Sequence, residues 1–223
     1  MFDLISRYDS EILDAFWVTI KLTFFSAIGA LVIGTLVAAM RVSPIPVARW
    51  IGTAYVSIFR NTPLTLIIVF CSLGLYTTLG WKLAGDSLAD NNYRWAIVGL
   101  SVYTAAFVCE SLRSGINTVP LGQSEAGRSL GFGFAQNLRL VVLPQAFRAV
   151  IAPLGSVLIA LTKNSTIASA IGVGEAALLM STMNENEAAV LAIGAIFALG
   201  FVILTLPTGL FFGWLAKRYE VAR

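Results

Sequence analysis

Five stretches of this chain are too apolar and too long to be explained by a water-soluble fold. They lie near residues 16–40, 51–79, 95–114, 146–171 and 188–215. A helix needs about 20 mostly apolar residues to cross the hydrocarbon core of a bilayer. Charged residues make up 12% of the chain, against about 25% in soluble domains. The expected fold is therefore an all-α integral membrane protein with five transmembrane helices in one membrane domain over residues 1–223.

Loop charges set the expected orientation, because Lys and Arg concentrate on the cytoplasmic side. Arg41 and Arg49 flank the first loop. Arg113, Arg128, Arg139 and Arg148 sit in or beside the third, and Lys217, Arg218 and Arg223 fill the tail. The opposite side holds Arg7, Lys82 and Arg94 among Asp3, Asp9, Glu11, Asp14, Asp86, Asp90, Glu185 and Glu187. The N-terminus is expected outside and the C-terminus in the cytoplasm, a parity that five spans satisfy. The acidic N-terminus lacks the cationic start of a signal peptide, so the first apolar run is expected to stay as a span.

The sequence also excludes chemistry. There is no histidine, so histidine metal sites, proton relays and Ser-His-Asp catalysis are absent. No carboxylate cluster suggests a metal or a membrane-embedded enzyme. Cys71 and Cys109 fall in apolar runs and read as small core residues rather than a disulfide. A net charge of +3 gives no case for nucleic acid. No G-x-x-x-x-G-K-[ST] loop is present, so the chain does not bind ATP by that route.

Between Glu110 and Pro144 lies a polar island, Ser124-Glu125-Ala126-Gly127-Arg128-Ser129-Leu130-Gly131 followed by Phe132 onward. Ser124 suits an N-cap, with Glu125 at the first helical position. Glu125 and Arg128 are spaced to pair on one face. Gly131 and Gly133 permit positive φ and a sharp turn. Phe134, Leu138, Val141 and Val142 then form an apolar stripe, and Pro144 marks entry to the fourth span. Two readings stay open for this helix pair. It packs on its own helices as an interfacial hairpin, or it docks into a groove on a soluble partner.

Ionisable and polar residues inside spans are the other functional candidates. They are Arg60, Asn61 and Thr62 before Pro63, Glu110 and Arg113, and Lys163, Asn164, Ser165 and Thr166. Glu110 and Arg113 are three apart and spaced to pair with each other. Arg60 also fits a snorkelling anchor. Lys163 has no acid in its own span. Pro63 and Pro153 are expected to kink helices and free carbonyls that can line a pathway.

The island's pattern, Glu125-Ala126-Gly127, Gly131, Val141 and Leu143-Pro144, resembles the EAA loop of ATP-binding-cassette (ABC) importer permeases. It departs from that pattern at Gly127 and Val141, where the family usually has Ala and Ile. Arg60-Asn61-Thr62-Pro63-Leu64, Leu143-Pro144-Gln145-Ala146 and Leu161-Thr162-Lys163-Asn164-Ser165 resemble further signatures of polar amino-acid permeases. The run from Phe16 to Leu22 is similar to corynebacterial-type glutamate permeases. The resemblance implies a type I ABC importer permease fold in a bacterial cell membrane. It implies a second permease subunit, two ATP-binding subunits that carry ATP and Mg, and an extracytoplasmic amino-acid-binding protein, with no cofactor on this chain. It implies coupling to the ATPases through a loop at about residues 115–145, with Glu125, Ala126, Gly127, Gly131, Phe132, Phe134, Leu143 and Pro144. Alternatives are an ion-coupled secondary transporter, which would need more spans and inverted repeats, or a non-transporting half of a heterodimeric permease.

Overall fold

The computed structural model describes residues 2–219. Arg223 of the basic tail and the side chain of Asp3 lie outside the described residues. Every element described is helical. Helix α1 is Phe2–Val42, with one non-helical residue at Tyr8. Helix α2 is Pro46–Asn61, and α3 is Leu64–Val69, continued by a π-helical stretch over Phe70–Thr78. Helix α4 is Leu88–Asn117, and α5 is Leu121–Ser129. Helix α6 is Phe134–Asn137, followed by a π-helical turn Leu138–Val142 and then α7, Leu143–Asn164. A 3₁₀ segment Ser165–Ile171 ends that path. Helix α8 is Ala176–Glu187, and α9 is Val190–Tyr219.

Among the described residues, four helical paths are long and apolar enough to cross a bilayer: Leu4–Val42, Leu88–Asn117, Phe134–Ile171 and Val190–Tyr219. The apolar run near 51–79 is not straight. Its two helices, α2 and α3, meet at 102°. The break falls at Thr62-Pro63, where Pro63 supplies no N–H and both residues are extended (ψ 132° each). Proline disfavours helical geometry in the residue before it, so the sequence itself ends α2 here. The Asn61 and Thr62 side chains donate to the Ser57 and Ile58 carbonyls at 2.7 and 2.8 Å. Each side chain bonds back onto the last turn of α2, four residues before it.

The core is organised by a close contact between α1 and α4. Ser26, Ala30, Gly34 and Ala38 recur every fourth residue on α1 and are all buried. They face Ser101, Ala105 and Cys109 of α4, spaced the same way and also buried. In lipid, helices gain little from burying apolar area, and small residues permit the close approach that dispersion needs. Ser101 Oγ donates across the seam to the Ser26 carbonyl at 3.3 Å. A Cβ on Gly29 would stand 2.4 Å from Ser101 Oγ, and one on Gly34 would stand 2.8 Å from the Ala105 carbonyl oxygen.

These contacts fix helix directions. Ser26 meets Ser101, Gly34 meets Val108, and Arg41 meets Glu110. The two sequences advance together, so α1 and α4 are parallel. Asn92 reaches the Ile171 carbonyl while Gly115 meets Val150, so α7 is antiparallel to α4. Gly155 meets Phe212 and Gly209 meets Ile159, so α9 reverses again.

Helix α8 is tied to α1 by buried polar groups. Glu175 is fully buried and caps α8, its Oε1 accepting from the backbone N–H of Ala177 and Leu178 at 2.9 and 3.1 Å. Thr19 Oγ1 of α1 accepts from the Ala176 N–H at 3.2 Å. Glu175 Oε2 has no partner. Burial pushes the Glu175 carboxyl up to about 7, against the opposing pull of its two backbone donors.

Two expectations follow. Gly34→Ala forces a Cβ onto a backbone oxygen, and overpacking of this kind costs about 1–3 kcal/mol. Gly213→Ala in α9 meets nothing within 4 Å and gains up to about 1 kcal/mol of helix propensity. Thermal midpoints in detergent should move in opposite directions. For Glu175 the folded state holds its proton more tightly than the unfolded chain, whose ordinary value is 4.5. Its stabilising contribution is therefore complete below about 4.5 and is lost as pH rises through about 7. Glu175→Gln keeps the cap acceptor and removes the ionisation, so its midpoint should lack that decline. A parent protein whose midpoint does not fall across this range would refute the assignment.

Candidate functional site

The loop helices come first. Leu121 starts α5 just after Pro120, so Ser124 lies inside the helix rather than at its cap. The capping role moves because Pro120 already stops the preceding chain. Ser124 instead receives two hydrogen bonds from Asn137 Nδ2, at 2.9 Å to its carbonyl and 2.8 Å to its Oγ. Asn137 is buried, and it stitches α6 to α5. A Cβ on Gly127 would stand 2.5 Å from Asn137 Oδ1. Gly127 is thus the residue that lets Asn137 in. The Phe132 ring lies 3.5 Å from the same position.

Gly131 turns the chain with φ 88°. Gly133 takes no part in that reversal. Its φ is −68°, and it serves as the extended N-cap of α6. Its N–H donates to Gln136 Oε1 at 3.1 Å. Glu125 and Arg128 are both exposed, and no carboxylate lies within 4 Å of Arg128 among the described residues. Water competes well with such a pair, which is worth little in any case. Ala126, Leu130, Phe134 and Leu143 are also exposed, Leu130 at 77%.

The second loop helix does not stop before the fourth span. It runs through a π-helical turn into α7 because Pro144 lacks the N–H that an α-helix would bond to Leu140, and its ring crowds that carbonyl. The backbone opens, and the Leu143 N–H bonds to Leu138 instead. Gln145 Nε2 donates to the Val141 carbonyl at 2.9 Å and also bonds to Gln123 Oε1 of α5.

The second constellation is the elbow between α2 and α3. Glu110 is not paired with Arg113. Its Oε1 accepts from Arg41 Nη1, and its Oε2 lies 3.7 Å from Arg60. The close α1–α4 seam brings the Arg41 guanidinium against α4, and that partner outcompetes a neighbour on the same helix. A Cβ on Gly52 would stand 2.7 Å from Arg41 Cγ, so Gly52 makes room for the arginine stem. Arg60 also sits over Phe107, 5.7 Å from its ring centre. Two guanidinium groups therefore share one carboxylate at the bend.

The third polar group behaves differently. Lys163 is exposed, with no carboxylate within 4 Å among the described residues. Ser165 and Thr166 hydroxyls donate to the Thr162 and Lys163 carbonyls, both at 2.7 Å. They stabilise the change from α to 3₁₀ geometry, and Asn164 is half-buried beside them. Arg41, Asn137 and Asn92 were not among the sequence candidates. Asn92 is buried, accepts from Ser72 Oγ at 2.7 Å and donates to the Ile171 carbonyl at 2.7 Å. It joins α3, α4 and the end of the 3₁₀ segment. No group of three or more metal-ligating side chains occurs among the described residues.

Comparison with known proteins agrees with this architecture. The family model for binding-protein-dependent transport system inner membrane components matches residues 30–221. The glutamate transport system permease protein GluC of Corynebacterium efficiens is 60% identical over 218 residues, covering 96% of each chain. The protein of the same name from Corynebacterium glutamicum is 58% identical over the same shares. An amino acid ABC transporter crystallised with histidines is similar in fold, with a TM-score of 0.86, 25% identity and 98% of both chains covered.

Arg41→Gln leaves the half-buried Glu110 with only its longer contact to Arg60. The expected loss is roughly 1–3 kcal/mol of stability, the scale for a charged hydrogen bond broken by removing one partner. Arg41→Gln combined with Glu110→Gln should recover at least half of it. Additive losses in the thermal midpoints of the single and double variants would count against the pairing.

Proposed function

This chain belongs to the family of binding-protein-dependent transport system inner membrane components, and on that premise we propose that it is the permease subunit of an ABC importer that admits glutamate. It is a non-catalytic transporter subunit, a multi-pass protein of a bacterial cell membrane. One permease domain fills residues 1–223. It forms the pathway with a second permease subunit. An extracytoplasmic binding protein delivers substrate, and two ATP-binding subunits supply the energy.

The proposed topology has five spans, with the N-terminus outside and the C-terminus in the cytoplasm. The parallel packing of α1 and α4 supports it. The chain leaves α1 at one face and must start α4 from the other, so α2 and α3 together make one broken crossing. A re-entrant loop would return the chain to the face it left. The excess of Lys and Arg on the α5–α6 side supports placing that side in the cytoplasm.

The observation that carries the coupling role is the exposed, internally locked pair α5–α6. Glu125, Ala126, Leu130 and Phe134 face outward, while Asn137, Gly127 and Gly131 hold the turn rigid. Such a pair can enter a groove on an ATPase and transmit its movement along Phe132, Leu143 and Pro144 into α7. Substrate passes the breaks in the helices. Arg60, Asn61 and Thr62 stand at the elbow beside Glu110, with Arg113 one turn further along α4. Lys163, Asn164, Ser165 and Thr166 stand at the end of α7. Arg41 and Arg60 against Glu110, together with unpaired Lys163, make these breaks cationic, which suits an acidic amino acid. GluC, whose name specifies glutamate transport, agrees with that preference.

ATP-driven glutamate uptake by the reconstituted complex tests both roles. Gly131→Val places a β-branched residue at positive φ, a strain of about 1–3 kcal/mol, and should abolish uptake while the subunits still bind substrate. Lys163→Ala should lower uptake at least threefold with assembly and basal ATP hydrolysis intact. Normal uptake by the first variant would remove the coupling role. Unchanged kinetics in the second would remove Lys163 from the pathway.

A further inference from the structure

Helix α2 shows two different surfaces away from its packed side, where Gly52 and Val56 are buried. Val47, Ile51 and Ile58 form one outer strip, and all three are exposed. Thr53, Ser57 and Asn61 follow one another every fourth residue on a second strip and are exposed as well. Residues four and seven apart share a helix face. The outer surface is therefore split into an apolar strip that suits lipid and a polar one that does not. A helical Ser or Thr hydroxyl in an apolar medium is satisfied by the carbonyl four residues back, or else points to solvent. Ser111, Thr162, Thr205 and Thr208 bond back in this way. The Thr53 and Ser57 hydroxyls make no hydrogen bond among the described residues.

Arg60 belongs to the polar strip, seven residues after Thr53. Arg41 already holds Glu110 Oε1, and Glu110 Oε2 lies 3.7 Å from Arg60, beyond hydrogen-bond reach. The Arg60 side chain is 46% exposed, rests on the Phe107 ring and makes no hydrogen bond among the described residues. Phe107 lies inside the apolar stretch of α4 near residues 95–114. A guanidinium carries five donors, and at membrane depth such a group faces a water-filled cavity or a partner. A dry protein contact would have to satisfy those donors and both hydroxyls together, whereas water does so unaided. The strip also runs between two fixed points. Trp50, 73% exposed, is of the type that marks the membrane–water boundary. From Thr53, three residues later, the strip climbs about 12 Å to the elbow at Asn61, at about 1.5 Å per residue.

We propose that this strip is the wall of the aqueous passage by which substrate leaves the elbow for the cytoplasm, with Arg60 taking its carboxylate. The inference rests on the importer reading above and adds Thr53 and Ser57 to the pathway. Glu110 provides for release. Its second oxygen stays close enough for Arg60 to turn back to it when the substrate moves on, while Arg41 keeps hold of the first.

The test is cysteine labelling of the full complex in inside-out membrane vesicles with charged methanethiosulfonates, read as the mass shift of this chain. The native Cys71 and Cys109 are buried. These reagents need a thiolate in water, so Thr53→Cys and Ser57→Cys should label about tenfold faster than Ile51→Cys and Ile58→Cys on the neighbouring strip. Labelling no faster than at Ile58→Cys overturns the proposal, because lipid or a second subunit then covers the strip. Arg60 stands one turn from Ser57, so Ser57→Cys should favour the anionic reagent over the cationic one by about fivefold, relative to the same pair on a free thiol. Arg60→Gln should remove that preference and lower maximal glutamate uptake about tenfold, the scale of one charged hydrogen bond. Arg60→Lys should keep the preference. Absence of the preference in Ser57→Cys itself overturns the role of Arg60, as does a preference or a full uptake rate that survives Arg60→Gln. If Arg60→Gln does not assemble, the preference in Ser57→Cys decides. Labelling is read without transport, so a parent complex that labels as expected but does not import glutamate would overturn the named substrate and not the passage.

Discussion

The close seam between α1 and α4 is the constraint on which the rest depends. Inside a bilayer, apolar side chains gain little by leaving lipid for protein. What holds two helices is dispersion at short range and hydrogen bonds across the contact. Ser26, Ala30, Gly34 and Ala38 on one helix and Ser101, Ala105 and Cys109 on the other provide both. The register they set has consequences at each end. At one end it seats Arg41 against Glu110, with Gly52 of α2 leaving space for the arginine stem. At the other it leaves α1 free to hold α8 through Thr19. Shifting that register by one residue would turn Arg41 away from Glu110, and Arg60 alone would remain to pair with the acid.

At several places where the backbone departs from α-geometry, a polar side chain bonds to the backbone beside the break. This is the expected arrangement in a medium without water, where irregular backbone survives only if its N–H and C=O groups are satisfied within the protein. Asn61 and Thr62 answer the end of α2, and Gln145 answers the π-helical turn at Pro144. The Thr77 and Thr78 hydroxyls answer the Ser72 and Leu73 carbonyls of the π-helical stretch, and Asn92 answers the end of the 3₁₀ segment at the Ile171 carbonyl. Asn91, its neighbour, fastens the 83–87 loop, its Oδ1 accepting from the Leu83 and Ala84 N–H groups. Each of these side chains has a structural partner, whatever else it contacts. Lys163 and Arg60 stand apart from them, because their charge exceeds what the surrounding helices need.

Much of this was legible in the sequence, and the divide between legible and hidden is physical. Apolar length marked the crossings, Pro63 marked the elbow, and Gly131 marked the loop turn, because each is a local property of the chain. The helices nonetheless overrun the apolar runs: α4 begins at Leu88 and ends at Asn117, since helical hydrogen bonding does not stop where lipid does. What stayed hidden depends on a partner far away in sequence. Arg41 reads as a loop charge until α4 lies beside it. Asn137 reads as one polar residue in an amphipathic stretch until Ser124 and Gly127 face it. A glycine at 127 weakens the helix locally by up to about 1 kcal/mol. Its missing Cβ is what admits Asn137, so the local loss of propensity serves a tertiary contact.

These contacts converge on α4. This one unbroken helix carries Asn92, Glu110 and Gly115. Asn92 and Glu110 are separated by about 27 Å at about 1.5 Å per residue. Asn92 grips the breaks in α3 and α7, Glu110 grips the elbow through Arg60, and Gly115 lies against Ala146 and Val150 at the start of α7. A Cβ at Gly115 would stand 2.2 Å from Val150 Cγ1, so α7 cannot slide there without moving α4. A push on α5–α6 enters α7 through the continuous helical path at Leu138–Val142 and is shared with α4 at that contact. Packed helices move as bodies rather than deform, so the displacement reaches both polar breaks together. On the proposed roles, loop and pathway are coupled by attachment to the same two rigid helices, with no chain of side-chain rearrangements required between them.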